Sequence, residues 1–60
     1  MRKKEEWMFK GAIVLALGKK ATIKSMQENT LRDVEYVYYI DCVLEGEKRS
    51  GRYHPTDISE

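Results

Sequence analysis

Val34-Glu35-Tyr36-Val37-Tyr38-Tyr39-Ile40-Asp41-Cys42-Val43-Leu44 is the stretch that decides the fold. β-Branched and aromatic residues fill it and neither glycine nor proline interrupts it, which is the composition of a strand. One parity reads Val34, Tyr36, Tyr38, Ile40, Cys42 and Leu44, while the other carries Glu35 and Asp41, with Glu45 next in step. The alternation predicts a long half-buried strand whose first set faces the core, Tyr36 and Tyr38 included, their hydroxyls reaching the rim. At about 3.3 Å per residue the strand extends roughly 36 Å, longer than so small a domain is expected to be wide. It should therefore bend or twist strongly, as strands do when a sheet curls into a barrel.

Working outward, the flanking segments are short and glycine-punctuated. Residues 12–17 form an apolar run of strand length, and Gly18-Lys19-Lys20 reads as a hairpin turn leading into a second strand over residues 21–26. Residues 27–33 are polar and turn-rich and read as a loop. After the long strand, Glu45-Gly46-Glu47-Lys48 is a turn and residues 49–53 a further strand, with Gly51 marking a bulge or a close approach. His54-Pro55-Thr56-Asp57 predicts one tight helical turn, and Ile58 can start a short closing strand. The opening residues 1–10 read either as a frayed helical turn or as a lead-in whose Trp7-Met8-Phe9 caps the core. The chain is thus expected to be all-β: a small SH3-like barrel of four to five antiparallel strands. It forms one domain over residues 1–60, with 1–9 as lead-in and 10–60 as barrel.

Phe9-Lys10-Gly11-Ala12-Ile13-Val14-Leu15-Ala16-Leu17-Gly18 and Ala21-Thr22-Ile23 resemble the opening of small uncharacterised bacterial SH3-like proteins. The pattern of that group starts Gly-Asp-x-Val-x-Leu, passes a glycine turn into a Met-Thr-Val strand, and later has a cysteine followed by an aromatic. Asp41-Cys42-Val43 and residues 53–58 occupy the later positions, while Ala12 stands for the acid and Val43-Leu44 for the aromatic. The resemblance spans about fifty residues and implies a fold and a bacterial origin, with no activity attached.

Sixty residues also limit the function. Surface scaling gives about 4,100 Å² folded against roughly 10,300 Å² unfolded, so only ~60% of the surface is buried. That burial is worth ~90 kcal/mol if a little over half is apolar, and ordering the chain costs about the same. One small core is all this can support, which excludes a dinucleotide-binding sheet or a second domain. Cys42 is the sole cysteine and His54 the sole histidine, so neither a disulfide nor a structural zinc site fits one chain. With no secretory pattern after Arg2-Lys3-Lys4 and no bilayer-length apolar run, a cytoplasmic setting without a membrane partner is expected.

No phosphate loop, catalytic carboxylate pair or cofactor motif is present, so an enzyme and a cofactor are not expected. Cys42 shares the apolar parity and reads as a buried, inert thiol, and His54 as a turn histidine with a local hydrogen bond. Charge is divided: residues 1–24 sum to +5, residues 25–47 to −5 and residues 48–60 to +1. The possible binding surface is Lys19, Lys20, Lys24, Tyr39, Arg49, Arg52 and Tyr53, with Trp7 as a further exposed aromatic. This set suits a protein or peptide partner first. The alternative is nucleic acid, with phosphates on the basic residues and a base stacked on tyrosine. Self-association is the third possibility, since a marginal core gains from covering an edge.

Overall fold

The computed structural model describes all sixty residues. The strands are β1 (Arg2–Lys3), β2 (Ile13–Ala16), β3 (Lys19–Leu31), β4 (Val34–Leu44), β5 (Ser50–Tyr53) and β6 (Ile58–Ser59), with a 3₁₀ turn at Pro55–Asp57. They form one antiparallel sheet in the order β1-β4-β3-β2-β6, and β5 pairs with β4 beyond β1. The protein is all-β, a sheet curled into a half-barrel consistent with a small SH3-like barrel. Two of its six strands are two-residue pieces: β6 is the short closing strand expected at Ile58, whereas β1 is not expected from the sequence.

Both long hairpins close in two residues. Ala16 pairs with Lys19 across Leu17 (φ 51°) and Gly18 (φ 81°), and Leu31 pairs with Val34 across Arg32 (φ 54°) and Asp33 (φ 64°). Two successive positive φ angles are the mark of a type I′ turn, whose twist matches that of the strands it joins. The first turn therefore lies one residue earlier than expected, and Lys19 and Lys20 are strand residues. The second overturns the loop expected over residues 27–33: β3 continues to Leu31. Polar composition there reflects exposure, since residues 27–33 are all exposed.

The register explains β4. Gln27 pairs with Tyr39 and Glu28 with Val37, so Tyr38 is an extra residue, and Lys24 is likewise extra on β3. Each bulge inverts the inside–outside alternation beyond it. Val37 and Ile40 consequently both face the core at 0% exposure, while Tyr38 is 40% exposed and Tyr36 only half-buried. This corrects the expectation that Tyr36 and Tyr38 are core residues. Strict alternation held only from Ile40 onward, through Cys42. The expected bending is present as these two bulges. The molecule is nevertheless 38 Å along its longest axis and 18 × 16 Å across, because the distal β3–β4 hairpin leaves the barrel as an arm.

The core holds Met8, Ala12, Val14, Ala16, Ala21, Ile23, Val37, Ile40, Cys42 and Ile58, with Trp7, Met26, Leu44 and Tyr53 packed against it. Three alanines among ten residues leave it thin, and the whole surface is 4418 Å². The lead-in belongs to this core through Met8, while Phe9 is 54% exposed. β1 pairs Arg2 with Val37 and Lys3 with Tyr36, and Lys4 donates its N–H to Glu35. Gly51 sits opposite Cys42 where a Cβ would lie 3.2 Å from the Tyr53 ring, so the close approach is to an aromatic side chain.

Candidate interaction surface

β2 sets one surface through strand alternation alone. Its inward residues are small (Val14 and Ala16, continuing from Ala12), and its outward residues are large: Ile13, Leu15 and, on the turn, Leu17. Their exposures are 64%, 40% and 66%. A curled sheet presses its inner face close together, so short side chains suit it. The apolar run by itself does not distinguish the two sides. The legible signal was the alternation of small and large residues.

β3 lies beside this stripe. Ile13 pairs with Thr22 and Leu15 with Lys20, all four exposed, and Lys24 follows at the bulge. Across β2 on the other side, Leu15 pairs with Ser59 of β6. Lys20 and Lys24 have no carboxylate within ion-pair distance: the ion pairs are Lys4 with Glu28 (2.9 Å) and Glu35 (3.5 Å), and Arg52 with Asp41 (3.5 Å). Lys19 and Lys20 also line an open groove of about 330 Å³ with Leu44, Glu45 and Glu47, where acids and bases mix.

The remaining residues singled out from sequence divide into two groups. Tyr39 and Arg52 do come together, the guanidinium lying 4.0 Å from the ring centroid. Asp41, which also accepts a 3.0 Å hydrogen bond from the Ser25 hydroxyl, holds that guanidinium in place. Tyr53 instead faces inward against the core, and Arg49 is exposed before β5. Trp7 is half-buried with the Arg2 guanidinium 5.8 Å from its ring. The seven residues do not share one face.

Reactive groups are quiet by geometry. Cys42 is fully buried, and burial first, then the neighbouring Asp41 charge, push its thiol above the usual range. His54 Nδ1 lies 2.7 Å from Thr56 Oγ1 and accepts from the Thr56 N–H at 3.3 Å, capping the 3₁₀ turn. No three His, Cys, Asp or Glu side chains cluster as a metal site would require. No helix is long and apolar enough to cross a membrane.

No family model matches the chain, and neither does any curated protein or solved structure.

Proposed function

We propose that the chain is a non-enzymatic protein-interaction module that binds through the outward face of β2. The observation that carries this is the Ile13–Leu15–Leu17 stripe, three large aliphatic side chains left in water by a domain with little apolar surface to spare. The backbone supports it independently. Leu17 occupies a left-handed position where asparagine or glycine would be relaxed, and strain retained at an exposed apolar tip is a feature of contact sites.

The nucleic-acid alternative draws on Tyr39 with Arg52, an aromatic and a cation in contact. It is the weaker one because Asp41 already engages Arg52 and Tyr53 is turned inward.

Photocrosslinking separates the two. A benzophenone side chain at position 15, with position 30 on the arm as control, is expected to give nuclease-resistant adducts that carry the added mass of a second polypeptide, from position 15 only. Nuclease-sensitive adducts, or oligonucleotide binding whose log K falls steeply with log salt, would replace this proposal with the alternative.

A further inference from the structure

We infer that the partner segment is an acidic amphipathic helix, its apolar side on Ile13, Leu15 and Leu17 and its carboxylates toward Lys20 and Lys24. This rests on the interaction reading above and adds the chemistry of the occupant. Along a strand, alternate residues recur about every 6.7 Å. Positions i, i+4 and i+8 of a helix recur about every 6 Å, so two successive leucines can meet Ile13 and Leu15 in step, with a third toward Leu17 on the turn that ends the strand. The lysine row runs one strand away, about 4.8 Å to the side, within reach of carboxylates on one flank of such a helix.

Charge selects this occupant. Lys20 and Lys24 flank the stripe with no carboxylate within ion-pair distance, Glu45 and Glu47 standing across the groove from Lys20, although the chain pairs Lys4 and Arg52 elsewhere. An anionic lipid plane fits less well. Glu45 donates its N–H to the Lys20 carbonyl, so an acid stands immediately beyond the lysine row. A broad negative surface would press on Glu45 as well, whereas one narrow helix meets only the stripe and the lysine row.

The test uses the full chain and a synthetic fourteen-residue helical peptide with leucines at i, i+4 and i+8 and glutamates along one flank. Its control carries lysines in place of the glutamates. The glutamate peptide is expected to bind with micromolar affinity and at least ten-fold more tightly than the control. Leu17→Asn should weaken binding at least ten-fold while leaving the fold intact, because it relaxes the turn. The Lys20→Glu/Lys24→Glu pair should invert the preference between the two peptides. Equal binding of both peptides overturns the inference, as does binding to phosphatidylserine vesicles without binding to the peptide. A wild-type dimer in ultracentrifugation that Leu17→Asn dissociates also overturns it, in favour of a second copy. If protein adducts still form at position 15 while the glutamate peptide fails, only the helix chemistry is wrong and the interaction reading stands.

Discussion

Arg2 donates from Nη1 to the carbonyl oxygen of Ile58 at 2.9 Å, and to that of Pro55 at 3.1 Å. β1 and β6 are the two ends of the sheet path, and no backbone ladder joins them. A single side chain therefore spans the seam, tying the second residue of the chain to the last buried one, with Trp7 beneath its guanidinium. Hydrogen bonds from a charged donor are worth about 1.5–3 kcal/mol each when lost, a large part of the stability of so small a domain. Arg2→Met should lower the urea midpoint accordingly, and Arg2→Lys should recover only part. Removing residues 1–9, which also deletes the buried Met8, should cost more than Arg2→Met alone. An unchanged midpoint in the shortened chain would make the seam contact incidental.

That latch was not legible in the sequence, and the reason is physical. Arg2-Lys3-Lys4 has no apolar periodicity, and β1 exists only because β4 offers it an open edge at Tyr36 and Val37. What could be read were the properties each segment carries by itself: the β composition of residues 34–44, the glycine turns, the helical turn at Pro55 and the buried Cys42. What could not were the two bulges, since an extra residue depends on the register of both strands. The site followed the same division. Tyr39 and Arg52 share the outward parity of adjacent strands and met, while the stripe on β2 lay within a run whose sidedness hydropathy leaves open and only the alternation of small and large residues signals.

The bulge at Tyr38 yields a direct comparison. Tyr38 and Ile40 have the same sequence parity, yet one is 40% exposed and the other 0%. Ile40→Val should cost about 0.5–1.5 kcal/mol by leaving a methyl-sized void. Tyr38→Ser should change stability by no more than about 0.5 kcal/mol, as at other exposed positions. Equal losses from the two would place Tyr38 back in the core and remove the bulge.

Both type I′ turns hold residues that resist positive φ. Leu17 and Arg32 are non-glycine residues at φ 51° and 54°, and a left-handed conformation costs roughly 1–2 kcal/mol for an ordinary side chain. Leu17→Asn and Arg32→Asn should each raise stability by about 0.5–1 kcal/mol, which is several degrees in Tm for a domain this small. Only Leu17→Asn should also weaken partner binding, because Arg32 lies on the arm, away from the stripe. Thermal melts of the two variants beside the peptide titration check both statements.

The Lys4 ammonium bridges Glu28 and Glu35 across the arm. Its hydrogen bond with Glu28 is the main reason its pKa rises above the usual 10.5, and burial acts in the opposite sense. A group whose pKa is raised by folding contributes stability that is fully present below its unfolded value and lost as pH climbs through the folded one. The difference in stability between wild type and Lys4→Gln should therefore be constant from pH 7 to 9, at most about 1 kcal/mol for so exposed a pair. It should disappear above the raised value. Denaturant titrations across that range test the sign: a difference that grows with alkalinity would rule out the Lys4 bridge as its source.

Cys42 offers a way to watch the barrel open. Its thiol is fully buried and held protonated by burial and by Asp41, and only the thiolate reacts with a disulfide reagent. Labelling by such a reagent at neutral pH should therefore be slow in the native protein and should proceed through opening of the sheet. Arg2→Met should accelerate it in proportion to the stability lost, about ten-fold for each 1.4 kcal/mol, provided the same opening exposes the thiol. A labelling rate that ignores Arg2→Met while the urea midpoint falls would mean that Cys42 is reached by a local fluctuation around β5, and that the seam is not the element that guards the core.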